Sequence, residues 1–395
     1  MVTREYDVVV IGAGINGAGV AQAAAAAGHS VLLLDKSAPG SGTSSRSSKL
    51  IHGGLRYLES GEFGLVRESL RERSLLLKLA PDLVHMKNFY IPLYHGGRRG
   101  PALLRGGLLL YWLLAGGVSG ASFQAVPRLQ WDRLDGLRTK NLRAVFRYHD
   151  AQTDDLQLTL AVVRSAGELG AESVFPARVV ALSPLRRGCR VDYATSGREN
   201  TVIGRVVVNA AGPWVNEVLA MTKPAVSILP AELIRGTHIV LNGHPLRRFY
   251  YLESPRDGRA VFAMPWRGKV LVGTTECRYR GKPDAVRPLR QEIRYLCRIV
   301  KHYFAAWNHV SHEHVDSAFA GLRVLPCGEG HAFHRSREIR LHTDRPPAEG
   351  TPRLLTLYGG KLTVWRATAE KVMQRIVTAL PQRKAKARTS ELPLK

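Results

Sequence analysis

YDVVVIGAGINGAGVAQAAAAAGHSVLLLDK, residues 6 to 36, decides how the rest of the chain is read. Val8 to Ile11 is an unbroken apolar run, the pattern of a strand buried on both faces. Gly12, Gly14 and Gly17 follow in G-x-G-x-x-G spacing, and the alanine-rich segment Asn16 to Ala27 predicts a helix. Gly28 ends that helix, Val31 to Leu34 is a second apolar strand, and Asp35 closes it. Gly12 permits a tight turn, Gly14 lets a pyrophosphate approach the backbone, and Gly17 lets helix and strand pack closely. The helix start offers free N–H groups and a positive dipole end to phosphates. Asp35 can accept hydrogen bonds from ribose hydroxyls, and its charge would repel a 2′-phosphate. Glycines alone carry little weight. Set between strand and helix, with an acid closing the next strand, they read as a dinucleotide-binding unit. The bland alternative is a strand–turn–helix with no ligand.

The chain has 395 residues, enough for two domains, and its 45% hydrophobic content is that of a globular protein. Lys and Arg number 57 against 32 for Asp and Glu, a formal charge of +25. Such an excess points to an anionic substrate, an anionic membrane surface or nucleic acid. Cys189, Cys277, Cys297 and Cys327 stand far apart with no C-x-x-C pair, so neither a zinc site nor a redox pair is expected. They read as free thiols of a reducing cytoplasm. The N-terminus runs straight into the first strand, which leaves no room for a signal peptide. No apolar run reaches the roughly 20 residues that span a bilayer.

After Asp35 comes a loop rich in Ser and Gly, Ser37 to Ser48, then KLIHGGLRYLE, Lys49 to Glu59. Lys49, His52, Arg56 and Tyr57 are chemically able, and Gly53 and Gly54 would let backbone pass close to a flat ligand. The alternative is a solvated loop followed by an ordinary basic helix. The stretch TSSRSSKLIHGGLRYLESGEF, Thr43 to Phe63, closely resembles the flavin-linked, NAD-independent glycerol-3-phosphate dehydrogenases. These belong to the wider D-amino-acid-oxidase-like flavoproteins. The glycine-rich unit is shared across that superfamily and speaks only for FAD; the serine loop running into HGGLRYLE is specific to the glycerol-3-phosphate branch.

Helical spacing follows at Glu62 to Leu79, ended by Pro81, and a strand at Asn88 to Tyr94. Ala102 to Val118 is strongly apolar, interrupted by Arg105 and glycines. Trp131 reads as a packing residue. His149, Asp150, Asp154 and Asp155 could bind a metal. Thr153 to Asp155 instead reads as the cap of a helix from Leu156 to Gly170, and no metal is expected. Strands are expected at Val174 to Leu182, Arg190 to Thr195 and Val202 to Ala210, the last running into NAAGPW, Asn209 to Trp214. Small residues at that strand end let backbone approach a cofactor. Further strands at Leu233 to Leu241, Ala260 to Met264, Lys269 to Gly273 and Val315 to Phe319, with a helix at Pro288 to Phe304, suggest a separate antiparallel sheet. LLTLYGGKLTVW, Leu354 to Trp365, repeats the logic of the opening: buried strand, glycine pair, helix start. A last helix is expected from Thr363 to Leu380, and Pro381 to Lys395 reads as a solvated basic tail rather than a nucleic-acid or membrane contact.

The expected fold is α/β: a Rossmann-like FAD-binding domain with a parallel sheet (residues 1–84, 149–222 and 320–380) plus an antiparallel-sheet substrate domain (85–148 and 223–319) and a basic tail (381–395). The resemblance implies FAD contacts at Gly12, Gly14, Asn16, Gly17, Asp35, Ser44, Ser45, Ser47, Lys49, Leu50, His52, Gly53, Val179, Gly212, Trp214, Gly359, Gly360, Lys361, Leu362 and Thr363. It places His238, Arg323 and Lys361 at the chemistry, with Arg56, Tyr57 and Thr363 beside the substrate. Trp365 stands where the family more usually has Tyr. The implied reaction oxidises sn-glycerol 3-phosphate to dihydroxyacetone phosphate, with electrons passing to a quinone or similar acceptor. The implied location is cytoplasmic, peripheral on the inner face of the membrane, with Arg98 to Val118 as the contacting stretch. Two rivals stand beside this reading. An oxidase or dehydrogenase of amino or hydroxy acids would need one Arg for a carboxylate. A nucleic-acid-binding protein is suggested by charge alone, with no recognised motif. Members of the resembling family usually continue into a helical C-terminal domain of about a hundred residues. This sequence ends where that domain would begin, which leaves the oligomeric state and acceptor docking open.

Overall fold

The structure is a computed structural model that describes residues 3–117, 122–327, 338–345 and 350–395. Its first sheet is built on the opening motif. The strand Arg4–Ile11 lies between Arg198–Asn209 and Val31–Leu34, all parallel, with Val9 opposite both Val207 and Leu32. Leu354–Tyr358 and Glu172–Val174 extend the parallel order on either side, and Arg340–Thr343 closes one edge antiparallel. The central strands are buried on both faces, which their unbroken Val and Leu runs require. Helices α1 (Ile15–Ala26), α4 (Asp155–Glu168) and α7 (Trp365–Ile376) pack together on one face. Helix α5 (Val215–Ala220) and the antiparallel pair Arg178–Pro184 and Cys189–Thr195 contribute to the core on the other.

The single strand expected over Val174 to Leu182 is two. Pro176 has no N–H for a ladder, and the run divides there between Glu172–Val174 and Arg178–Pro184. The expected last helix is shorter, with 3₁₀ turns at Leu362–Val364 and Val377–Ala379 flanking α7.

The second sheet has ten strands among the described residues. Two long pairs dominate it, Val84–Tyr94 with Leu142–Thr153 and Ala231–Leu241 with Val315–Pro326. Its pairing is antiparallel except where Phe249 and Tyr250 run parallel to Phe89 and Tyr90. Three segments assigned above to the dinucleotide half hydrogen-bond into it: Leu50–Ile51, the His149 to Thr153 end of Leu142–Thr153, and the part of Val315–Pro326 from Ala320 on. All three run between the cofactor-binding half and the other sheet. Helix α6 (Arg290–Tyr303) covers one face of this sheet, and α2 (Phe63–Leu79) and α3 (Pro101–Leu114) contribute to the core on the opposite face.

The basic tail exposes most of its side chains, as expected, but its backbone is docked. The Lys386 N–H donates to Ala26 O at 2.7 Å, Arg383 binds Asp7, and Leu394 is 2% exposed with its N–H on Leu79 O. Its charged composition concealed one apolar anchor and the backbone donors that hold it against α1 and α2.

Candidate active site

The glycine turn forms by necessity of space. A Cβ on Gly12 would lie 2.6 Å from Ala210 O, and Gly12 has φ +102°; a Cβ on Gly17 would fall inside the contact radius of Gly12 O. Strand, turn and α1 therefore close up only with glycine at both places. The Ala13 N–H donates to Asp35 Oδ2 at 2.7 Å, and Ser37 binds the other oxygen, so Asp35 also braces the turn. The Ile15 N–H, one of the free donors of the α1 start, is taken by Ser44 Oγ at 2.9 Å. The second glycine turn meets the first through Asn16, whose Nδ2 donates to Gly359 O at 3.3 Å.

A cavity of about 460 Å³ opens from these turns. Gly12, Gly14, Asn16, Asp35, Ser44, Ser47, Leu50, His52, Tyr57, Val179, Gly212, Trp214, His238, Arg323, Gly359, Gly360, Lys361, Leu362 and Thr363 all line it. Five of the expected contacts do not line it: Gly17, Ser45, Lys49, Gly53 and Arg56. Gly17 acts through packing. Gly53 packs against the helices: its N–H donates to buried Asp150, and a Cβ there would strike Leu70 and Tyr111. Lys49 is buried, ion-paired with Asp155 and bonded to Ser45 O at 2.6 Å. Asp155 also takes the Ser47 N–H and hydroxyl, so this salt bridge stiffens the serine loop from below. Asp154 caps α4 by accepting from Leu156 N and Gln157 N, and Asp150 pairs with Arg73. The carboxylates weighed above as metal ligands thus have structural partners. Arg56 points instead to Glu276.

At the other end of the cavity the two sheets meet. His238 is 2% exposed, lies flat on Phe319 at 5.0 Å and shares a 2.9 Å hydrogen bond with Ser48 Oγ. Burial holds its pKa down to about 3, with the positive charges of Arg323 and Lys49 adding to the effect. The ring is accordingly neutral at physiological pH. It packs so tightly on Gly273 that any Cβ there would overlap it. Lys361 Nζ sits 3.7 Å from the centre of the Tyr57 ring, and Tyr57 stacks with His52. The Thr363 hydroxyl takes the His52 N–H at 3.1 Å, tying the HGGLRY segment to the GGKLT turn.

Arg46, Ser48, Arg178, Thr274 and Asp284 also stand on the cavity wall without a role assigned from sequence, and Ala211 stands there within the NAAGPW segment expected to meet a cofactor. Arg46 and Ser48 were within reach, since they lie inside the serine loop already singled out. Asp284 gave no signal: it arrives from the second sheet's side to bind Lys36 at 2.7 Å and Trp214 Nε1 at 3.2 Å.

Two observations test whether the cavity fits a dinucleotide cofactor. The glycine cradle at Gly12 has space for no side chain, and Asp35, Ser44, Arg323 and Lys361 bring polar and charged groups to the lining. A cavity with backbone turns at one end and such a lining is shaped for a large polar ligand. The model of the FAD dependent oxidoreductase family matches residues 7–366. The chain belongs to that family. FAD is the cofactor of this family, and the Gly12–Asn16 and Gly359–Thr363 turns that line the cavity are the candidate cradle for it. The chain is 36% identical to D-erythritol 1-phosphate dehydrogenase of Brucella abortus, over 95% of this chain and 74% of that protein. It is 35% identical to glycerol-3-phosphate dehydrogenase of Synechocystis, over 94% of this chain and 70% of that protein. The FAD complex of glycerol-3-phosphate dehydrogenase from Bacillus halodurans superposes with a TM-score of 0.77 at 25% identity, over 99% of this chain and 68% of that one.

Proposed function

We propose that this flavoprotein oxidises sn-glycerol 3-phosphate to dihydroxyacetone phosphate and passes the electrons to a quinone at a membrane surface. The observation that carries the reading is the convergence of Arg323, Lys361 and His238 on the cavity that the glycine turns open. A phosphate monoester is close to dianionic at neutral pH, and a guanidinium with a nearby ammonium suits it better than the lone Arg that a carboxylate needs. Bound FAD supplies the acceptor for a hydride from C2 of the alcohol.

The protein's own groups then have distinct parts. Arg323 and Lys361 bind and orient the phosphate and the alcohol. Neutral His238, on the cavity lining, is the candidate to accept the hydroxyl proton, and Ser48 Oγ shares a hydrogen bond with its Nε2. A low pKa makes it a weak base in the free site. A dianionic substrate brings negative charge beside it and raises that pKa when it binds. Tyr57 and His52 form an aromatic wall that keeps Lys361 in place.

A four-carbon polyol phosphate is the second reading, favoured by the likeness to the Brucella protein. Turnover with a dye acceptor tests both. Glycerol 3-phosphate or erythritol 1-phosphate should be oxidised far faster than glycerol or glycerate. Equal rates on glycerol would sink the phosphate site, and preference for glycerate would favour the acid-oxidising rival.

Membrane contact through α3 belongs to the same proposal. No helix among the described residues is long and apolar enough to cross a membrane. One face of α3 is core, through Leu104, Leu108 and Tyr111. Its outer face leaves Leu103, Leu109 and Leu113 at 68%, 45% and 55% exposure, with Arg105 beside them. Leucine and arginine on one surface suit the boundary of an anionic bilayer. Val118, the end of the stretch expected to make this contact, lies outside the described residues.

A further inference from the structure

Glu276 holds the guanidinium of Arg323, which the phosphate is expected to meet, and faces that of Arg56. The strands Cys277–Tyr279 and Val315–Pro326 both pair with Ala231–Leu241, Arg235 lying opposite Cys277 and Ile234 opposite Arg323. Between them Gly236 presents bare backbone, with Arg323 Nη2 only 3.3 Å from where its Cβ would be. Side chains from the two flanking strands can therefore meet above it. Glu276 Oε1 takes Arg323 Nη1 at 3.0 Å, and Glu276 Oε2 lies 3.9 Å from Arg56 Nη1. The Glu276 side chain is 8% exposed, and its carbonyl is fixed by Arg259 Nη1 at 2.7 Å. A carboxylate removed from water, facing one guanidinium with each oxygen, resembles a bound anion built into the protein.

We infer that Glu276 is a resident counter-anion that limits how tightly the site binds phosphate. The inference rests on the proposal that Arg323 binds the phosphate. Substrate and product carry the same phosphate, so tight binding of that group stabilises both equally and does nothing for the chemical step. A fixed negative charge beside the site weakens both together and lets product leave. Its repulsion acts twice as strongly on a dianion as on a monoanion. Removing it therefore tightens phosphate esters more than sulfate esters of the same shape, a split that lost packing would not produce.

The test uses FAD-loaded full chain and two isosteric probes, methyl phosphate (dianionic at pH 8) and methyl sulfate (monoanionic), as inhibitors of glycerol 3-phosphate oxidation. In Glu276→Gln the inhibition constant of methyl phosphate should fall by about tenfold or more and that of methyl sulfate by clearly less. Glu276→Asp, which keeps the charge, should leave both within about threefold of wild type. Unchanged or weaker methyl phosphate inhibition in yellow Glu276→Gln protein overturns the inference and leaves the phosphate site standing. Failure of methyl phosphate to compete with glycerol 3-phosphate in the wild type removes the site, and the inference with it. Glu276→Ala is the second neutral variant; if neither retains FAD, the carboxylate is structural and the inference is wrong.

Discussion

Packed flat on Phe319 and bonded to Ser48, the His238 imidazole has its pKa held at about 3 by burial first and by Arg323 and Lys49 next. An unfolded histidine titrates near 6.5. Between those values the unfolded chain binds a proton that the folded chain does not, so folding weakens as pH falls from about 6.5 towards 3. At pH 5 this one group costs about 2 kcal/mol relative to pH 7.5. His238→Gln should remove that share of the acid sensitivity. Thermal unfolding at pH 7.5 and 5.0 measures it, and an equal drop in both proteins would show that His238 is not the buried neutral base described. Asp35 offers a second residue-scale test. It braces Ala13 and Ser37 and also lines the cavity, so Asp35→Ala removes charge-assisted hydrogen bonds at the turn. FAD should bind about 10- to 100-fold more weakly. Fluorescence titration of apoprotein with FAD checks this; unchanged affinity would mean that Asp35 does no more than fold its own loop.

Among the elements, α3 and the C-terminal tail differ most from what their composition announces. Leu103, Leu109 and Leu113 lie on the outer face of α3 and take no part in the core, so replacing all three with Asp should leave the protein folded and yellow. Flotation with anionic vesicles should then carry the wild type and leave the variant behind. Equal behaviour of the two would reject α3 as the contact. In the tail, Leu394 packs with Ile15, Leu76 and Leu158, residues of α1, α2 and α4. Leu394→Ala should lower stability by about 2 kcal/mol; urea unfolding without a change in midpoint would mean that the tail merely rests on the surface. Local pattern made α1, α2, α4 and the central strands legible, because each repeats its burial period within a few residues. The tail had no such period. Its partners, Ala26, Asp7 and Leu79, lie more than three hundred residues away in sequence.

For the whole molecule, the parallel sheet and its cofactor end were readable from two strand–glycine–helix units at opposite ends of the chain, and the second sheet from the run of strands between Leu233 and Phe319. Glycine, serine and arginine in fixed local order announced where the cavity wall would be. What each polar side chain does there was less readable. Lys49 stands in a chemically suggestive stretch, yet its ammonium is consumed by Asp155, which local sequence could not foretell. Glu276, between two strands, received no role from the sequence, because its meaning lies in two arginines supplied by other elements. The central claim joins all of this: a flavin held by the two glycine turns is reduced by a phosphorylated polyol held by Arg323 and Lys361. The most direct test is the visible spectrum of the purified yellow protein under anaerobic conditions, before and after glycerol 3-phosphate. The account predicts rapid bleaching by the phosphate ester, little by glycerol at the same concentration, and loss of the rapid phase in Arg323→Ala. A spectrum left unchanged by the ester, or bleached equally by glycerol, would contradict it.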